Sequence, residues 1–428
     1  MNFFSRYKRL RCMANTSSFN LSVAGFSGKP AVLSFSLLEG FSGDDYLSVS
    51  FLASSGCSES MFGKKASFSF EYEKKKEFFN GIATECREEQ SDKGFSRITL
   101  LVKTYRHYAD KEKRCAVYCQ TDAETIIRSL LKKNGILAKC KFNSYYDTNF
   151  KIQYNESDMF FMQRLLEGLN IIEFVKHYEC GSELIIRDEN VFEAQKLNFA
   201  KSRVETRDGG NFFFGYGHCP LRPGTAFEAF GETFIICSAF HSGNQEAAFG
   251  LKGKTDGYTC QIVAFSKRML SKLPRNKAKP QVPGIIVAKT EGFKGSASLD
   301  DQGRYTVRMP FDEENHNGTL ASHPVHLAQN FAGENYGIHF PLKKDTPVLI
   351  AFENGDIDCP IALGALPKET CKSPVAKKNS HQNIIKTSSG IKFLLDDSTK
   401  SLEIEAPTNI TIKAGGCLTL EGKSVKIN

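Results

Sequence analysis

The chain has 428 residues, 41% of them hydrophobic and 24% charged, with a formal net charge of +8 and no tryptophan. Such a length allows two or three domains, the composition is that of a soluble globular protein, and large aromatic core positions fall to Phe and Tyr. No run approaches the roughly 18 apolar residues of a membrane helix, and scattered lysines weaken the case for a dedicated nucleic-acid or membrane surface. Thirteen cysteines form no repeated C-x-x-C pair. Their odd number and the apolar surroundings of Cys237 and Cys260 suggest reduced, mostly buried thiols in a chain that folds in the cytoplasm. Cys115 and Cys119 form C-x-x-x-C without the second pair or His cluster of a zinc site, so neither metal nor cofactor is expected.

The first residues carry Arg6, Lys8, Arg9 and Arg11 with no apolar segment behind them, which argues against a secretory signal. Residues 1–16 are expected to be a flexible extension, and Met13 is an alternative start. Residues 17–106 read as β: Phe19 to Val23, Ala31 to Leu38, Leu47 to Phe51, Ala66 to Tyr72, Phe78 to Thr84 and Ile98 to Val102 alternate apolar and polar residues between Gly and Ser punctuation. Thr121-Asp122-Ala123-Glu124 predicts a capping box opening a helix with Ile126, Ile127, Leu130 and Leu131 on its apolar face and Asn134-Gly135 as its stop. A second helix is predicted after Ser157 as N-cap, with Asp158 in its first turn and Met159, Met162, Leu166 and Leu169 as a core stripe. Asn170 ends it in a left-handed turn, and a strand resumes at Ile171. Residues 209–265 are β again. Ser266 to Pro283, basic and broken by Pro274, Pro280 and Pro283, reads as a linker, and residues 285–366 have the strand density of a small OB-type barrel.

After a second linker, Pro367 to Gln382, the sequence repeats every eight residues: Leu402/Ile404, Ile410/Ile412 and Leu418/Leu420, with a slipped copy at Val425/Ile427. Apolar residues alternate with polar ones inside each copy, and Pro407, Asn409, Gly415, Gly416 and Gly422 lie between copies. Short strands joined by tight turns describe a β-solenoid or β-prism rung. Six apolar side chains do not offset the entropy of ordering the repeat backbone, so one copy alone should hold no shape. Identical chains around a three-fold axis would bury the shared face, and a C-terminal hairpin packed on the preceding domain is the alternative.

Gln153-Tyr154-Asn155-Glu156-Ser157-Asp158, continuing through Phe161, Arg164, Leu165, Leu166 and Glu167, resembles the Q-Y-x-E-S-D-x-x-F-x-x-R-L-L-E segment of the VgrG family, the spikes of type VI secretion systems, similar to the hub and spike proteins of contractile phage tails. Phe79-Asn80-Gly81-Ile82, Leu221-Arg222-Pro223-Gly224 and His241-Ser242-Gly243 resemble the family's F-x-G, L-R-P-G and H-x-G elements. In the barrel, Asp300 to Val307 with Gly303 looks like its D-x-x-G-R-V-x-V hairpin, Ala328 to Gly337 like A-Q-x-W-A-G-x-x-W-G with both tryptophans replaced, and Gly355-Asp356 through Gly364 like its closing segment. The resemblance implies a mainly β chain with a few helices: a phage-hub-like base with β-barrel domains over residues 17–280, an OB-fold domain over 281–367, and a linker and trimeric β-helix or β-prism needle over 368–428. Leu402, Ile404, Ile410, Ile412, Leu418 and Leu420 would then form a trimer interface, Val425 and Ile427 a tip docking surface, and Glu156, Ser157, Asp158, Arg164, Gly303, Gly355 and Asp356 structural motif positions.

The implied role is a homotrimeric, membrane-puncturing spike, made in the cytoplasm and then secreted through a contractile apparatus without a signal peptide. Its implied partners are a hexameric tube protein at the base, baseplate components, a PAAR-like tip protein or effector at the needle end, and transiently the target membrane. A prophage tail hub is the alternative. No catalytic activity is expected: H-E-x-x-H, G-x-S-x-G and P-loop patterns are absent, and too few residues separate barrel and needle for a hydrolase domain. Asp396-Asp397 reads as a solvated turn in preference to a glycosidase pair, and His241 as a hydrogen-bonded loop histidine. Tyr305, Phe331, Tyr336 and Phe340 with Lys343-Lys344 could form a single-strand nucleic-acid platform, but they occupy positions the family fills with core or turn aromatics, and no nucleic acid is expected.

Overall fold

Alternation of apolar and polar residues over the first hundred residues produces six antiparallel strands: β1 Phe19–Val23, β2 Ala31–Gly40, β3 Tyr46–Ser54, β4 Lys65–Tyr72, β5 Lys75–Gln90 and β6 Phe95–Lys103. The computed structural model describes residues 19–426 apart from 42–44, 55, 57, 73–74, 91–94, 105, 110–111, 143–149, 189–191, 208–209, 250–256, 273–277, 313–320, 323 and 370. The expected N-terminal extension, the alternative start and Ile427 therefore lie outside the described residues. Later in the chain, β12 Ala194–Gln195, β13 Lys201–Arg207, β14 Gly210–Gly217, β15 Ala226–Ala229, β16 Glu232–Asn244 and β17 Gly257–Ser266 join the same 12-stranded sheet, whose path runs β1-β4-β5-β6-β3-β2-β16-β17-β14-β13. Both halves meet at the β2–β16 pair, where His241 lies opposite Leu37 and Phe240 opposite Leu38. Phenylalanine fills the interior that tryptophan would otherwise occupy: Phe35, Phe51, Phe68, Phe70, Phe79, Phe213, Phe227 and Phe234 are all buried in one cluster. Phe19 meets Phe35 edge-on at 5.0 Å, the geometry the ring quadrupoles favour.

In chain order, two longer helices, Ala123–Lys133 and Asp158–Gly168, come between the strands of the two halves. The first differs from expectation at its start. Asp122, one residue later than the expected Thr121, is the N-cap and accepts from the Thr125 N–H at 2.9 Å. The Thr121 hydroxyl instead donates to the Cys119 carbonyl, and Glu124 is drawn to Arg128 one turn on. A carboxylate reaches the free amides as well as a hydroxyl does, so the cap moves to the residue with the better reach. The second helix starts as expected, with Ser157 Oγ accepting from the Phe160 N–H.

Both helices end alike: the Ile136 and Ile171 amides reach back to the Leu131 and Leu166 carbonyls at 2.9 Å, each following a left-handed residue, Gly135 at φ 64° and Asn170 at φ 58°. The helices pack Ile126, Ile127, Leu130 and Leu131 against Met159, Met162, Leu165 and Leu166, over a small sheet of β8 Ala138–Lys141, β10 Ile172–Tyr178 and β11 Gly181–Arg187.

β7 Lys113–Cys119, just ahead of the first of these helices, and β9 Phe150–Ser157, just ahead of the second, form an antiparallel pair. One face of it supplies Val117, Cys119, Phe150 and Ile152 to the core of the following barrel. That barrel contains β18 Ile286–Thr290, β19 Gly292–Phe293, β20 Ser296–Ala297, β21 Val307–Arg308, β22 Ala332–Gly333, β23 Tyr336–Gly337, β24 Pro347–Phe352 and β25 Pro360–Ala365, with Tyr305, Val307, Val348 and Ile350 at its centre. The segment read as a linker is anchored at both ends. Met269 and Leu270 pack beside Phe174 and Phe265, and Val282 enters the barrel core.

The tail forms a three-stranded meander, β26 Gln382–Lys386, β27 Lys392–Asp396 and β28 Ser401–Glu405. Only the first octad is thus a strand. Residues 406–426 join no ladder within the chain, because a strand needs a neighbour for its amides and carbonyls and one copy of the repeat provides none. The thiols are also less buried than expected: Cys119 and Cys260 are internal, whereas Cys180, Cys219, Cys359, Cys371 and Cys417 are exposed.

Leu166 is 1% exposed at the centre of the helix pair. Leu166→Ala is expected to cost about 2–5 kcal/mol through lost burial and the cavity left behind, measured by denaturant unfolding followed by circular dichroism.

Candidate functional site

Three of the sequence motifs, far apart in the chain, converge on one buried carboxylate. Glu39, near the end of β2, is 1% exposed. Arg222 of Leu221-Arg222-Pro223-Gly224 caps it with Nη1 donating to both carboxylate oxygens, while its Nε reaches Glu77 at 3.2 Å and its Nη2 donates to the Phe78 carbonyl at 3.0 Å. His241, read from the sequence as a loop residue, lies inside β16 and is fully buried, with Nε2 3.3 Å from Glu39 and Nδ1 2.7 Å from the Tyr258 hydroxyl. His177 of β10 faces the other carboxylate oxygen at 3.9 Å. Its Nδ1 accepts the Asn80 backbone N–H at 3.1 Å, which places the proton on Nε2 of a neutral ring. The Asn80 side chain donates to the Tyr178 and Gly181 carbonyls, both at 2.8 Å, and so binds the β10–β11 turn to β5.

The glycines of these motifs keep the approach close. A Cβ at Gly81 would lie 2.1 Å from the Lys103 carbonyl oxygen, and one at Gly224 2.3 Å from the Phe174 ring.

Charge and burial compete here in opposite directions. Burial raises the Glu39 carboxyl, but Arg222 and then His241 outweigh it and hold the group down at about 2. Burial lowers His177 to about 4, against the partial pull of Glu39. Burial alone would lower His241 as well, yet contact with Cys260 and Glu39 raises it. Glu39, His241 and Cys260 bring together the group types of an acid-oriented histidine and a thiol nucleophile, but all three are at most 2% exposed. No substrate reaches a sealed thiol, so the cluster acts as a lock between strands.

The Glu156-Ser157-Asp158 motif builds a second cluster, at the junction with the barrel. Arg164 donates to Glu156 at 2.6 Å and to the Ile152 carbonyl at 2.9 Å. Asp158 accepts from Arg114, from Gln153 at 3.0 Å and from Asn134 at 2.9 Å. Burial pushes Asp158 up, but these hydrogen bonds, Gln153 first, bring it below the usual carboxylate range; burial prevails at Glu156, which is raised. From the barrel, Asp358 accepts the Ile152 N–H at 3.2 Å and meets Lys151 at 3.1 Å and Lys279 at 3.3 Å. Asp356 binds Lys279 at 2.8 Å. Gly355, at φ 77°, makes the turn before Asp356, and Gly303, at φ 73°, closes the turn in which the Asp300 carboxylate accepts the Gln302 and Arg304 amides. The structure thus brings Glu156, Ser157, Asp158, Arg164 and Asp356 to one junction and leaves Gly303 apart at a hairpin. Sequence spacing identified neither Asp358 nor Glu39 as a hub, because each is a lone carboxylate whose partners come from distant segments.

Of the aromatics considered as a nucleic-acid platform, Tyr305 is buried with its hydroxyl 3.0 Å from His339 Nε2 and offers no stacking face. Phe331, Tyr336 and Phe340 are exposed, not core. Asp396 is tied to Ser398 at 2.6 Å and Gln382 at 2.8 Å, which lowers its carboxyl, in keeping with a turn. Leu402, Ile404, Ile410, Ile412, Leu418 and Leu420 are between 53% and 66% exposed, and Val425 is 53% exposed.

Two protein families match parts of this architecture. Residues 39–212 match the phage tail baseplate hub (GPD) family, and residues 296–366 match the type VI secretion system/phage-baseplate injector OB domain. Over 151 residues the chain is 30% identical to the type VI secretion system spike protein VgrG3 of Vibrio cholerae, a match covering 35% of this chain and 15% of that protein. Among solved structures, the E. coli c3393 protein, described as a component of the type VI secretion system with structural similarity to T4 bacteriophage tail proteins, superposes with a TM-score of 0.63 at 18% identity over 81% of this chain and 99% of its own. A chain of the half-lidded Francisella PdpA-VgrG complex gives 0.57 at 9% identity, covering 91% and 88%. At these identities the likeness is one of fold. The matches bear out the resemblance to VgrG spikes read from the sequence, and the fold is phage-hub-like with an OB domain.

Arg222→Ala would leave Glu39 charged in the core, and an expected loss of about 3–5 kcal/mol should appear in denaturant unfolding. His177 binds its proton more weakly folded than unfolded, so its contribution is present above pH ~6.5 and is lost as pH falls toward about 4. The melting temperature should therefore fall over that window, and His177→Gln, which keeps an acceptor for the Asn80 amide, should flatten this part of the profile.

Proposed function

We propose that the chain is one protomer of a homotrimeric spike mounted on a contractile injection tube, driven through a target membrane and carrying effectors or a tip protein. One observation carries this reading: the octad side chains Leu402, Ile404, Ile410, Ile412, Leu418 and Leu420 stand in solvent on an isolated chain. An unburied stripe this regular loses free energy unless copies share it, and three-fold packing closes strand edges that one copy leaves open. The hub and injector OB domains support the base of such a device. Under this reading residues 17–280 are the base, 281–367 the barrel and 368–428 the linker and needle; Val425 and Ile427 belong to a tip that receives a PAAR-like protein or effector.

The tube protein would seat on the base among baseplate components. The assembly would be built in the cytoplasm and leave through the apparatus. The role is mechanical, with no catalysis assigned to this chain: its best-formed constellation of reactive groups, around Glu39, is sealed. Because the OB family is described for both type VI systems and phage baseplates, a prophage tail hub is the second reading. Neighbouring sheath, tube and ATPase genes would favour secretion, and capsid and terminase genes the phage.

Light scattering at micromolar concentration should give the mass of three chains. Truncation after Pro367 should weaken or abolish the trimer while the barrel stays folded. A monomeric full-length protein would overturn the reading.

A further inference from the structure

β5 pairs with β4 along Lys75 to Ile82 but with β6 only from Ile82 onward, so its first half has no strand of the large sheet on the second side. Two side chains stand in for that strand. Arg222 donates to the Phe78 carbonyl at 3.0 Å, and His177 Nδ1 accepts the Asn80 N–H at 3.1 Å. The Asn80 side chain is fixed as well, accepting from Ser67 Oγ at 2.6 Å and donating to the Tyr178 and Gly181 carbonyls. The β10–β11 turn is thus held to β5 through a single asparagine. The His177 side chain is 0% exposed and its ring lies 4.5 Å from that of Phe79.

The two stand-ins differ in one respect. A guanidinium keeps its charge at every pH, whereas a proton added to Nδ1 turns the acceptor of the Asn80 N–H into a second donor. The buried amide then has no partner. Around the ring, β2 presents Glu39, the turn after β14 presents Arg222, and β5 presents Glu77, which is bound to Arg222; His241 of β16 lies on the far side of Glu39. Glu39, at 3.9 Å, is too far for a hydrogen bond, so its attraction offsets only part of the cost of charging a buried ring next to Arg222.

We infer that His177 is an acid-released latch: a proton on its ring frees the β10–β11 turn from β5 while the large sheet stays folded. The apolar cluster that holds the sheet together is independent of this contact. β10 follows directly on the second helix, and β9, which packs into the barrel core, leads into that helix. Release therefore loosens the hold of the large sheet on the elements that carry the barrel. This goes beyond the spike reading and holds for one chain or three.

The test is hydrogen exchange of the full chain read by mass spectrometry, corrected for the intrinsic effect of pH on exchange. With the ring titrating at about 4 when latched and about 6.5 when open, the open population should rise about 30-fold between pH ~7.5 and pH ~5. Peptides spanning Phe78 to Ile82 and Lys176 to Ser182 should lose protection accordingly, and peptides from β3 and β6 should keep theirs. His177→Gln, which retains an acceptor and gains no proton, should make protection at Phe78 to Ile82 independent of pH over this range. If that variant fails to fold, NMR of the parent with ¹³C-labelled histidine takes its place, and the His177 ring must titrate together with the loss of protection. Unchanged protection at pH ~5 would overturn the inference. So would simultaneous loss in β3 and β6, which would mean global unfolding, or an acid response that survives in His177→Gln or is uncoupled from the His177 ring, which would assign it to other groups such as Glu39, Glu77 or His241.

Discussion

Glu39 is the constraint on which the base depends. A carboxylate almost wholly removed from water is tolerable only if it is paired, and Arg222, His241 and His177 reach it from three separate segments. The cost of leaving it unpaired therefore falls on every strand that supplies a partner. β2, β10, β16 and the turn carrying Arg222 are tied into one unit by electrostatics as well as by packing. Such a cluster gains little over an apolar core in raw stability, but it penalises each alternative register.

The junction with the barrel is built on the same logic. The β7–β9 pair carries apolar residues into the barrel core on one face and presents Lys151 and the Ile152 amide to Asp358. Behind it, Glu156, Arg164 and Asp158 hold the second helix against the same pair. Barrel and helices are joined through a shared strand pair and not through a linker alone.

The tail follows the opposite rule. In the base and the barrel, clusters of apolar residues are covered within the chain; in the tail the octad side chains are displayed. Ile385 and Leu395, on the face of the meander that β28 extends with Leu402 and Ile404, are exposed as well. The surface left open is thus continuous from the meander into the octads, and assembly between copies is the physical means proposed for covering it.

Strand positions, both helices and their ends were legible in the sequence because they rest on local rules: period-2 alternation marks β1 to β6, and Asn170 and Gly135 mark helix ends because few residues tolerate a left-handed backbone. The cap of the first helix was misplaced by one residue because Thr121 and Asp122 satisfy the same rule, and only geometry chose between them. His241 looked like a loop residue because a lone polar side chain beside Ser and Gly carries no sign of burial. Its place in β16 is decided by Glu39, some 200 residues away in sequence. The motifs themselves were visible, but the reason for their composition was not. Arg222 and His241 are required by one buried carboxylate and Asn80 by the β10–β11 turn beside it, and a partner chosen by three-dimensional proximity leaves no periodicity or spacing for the sequence to display.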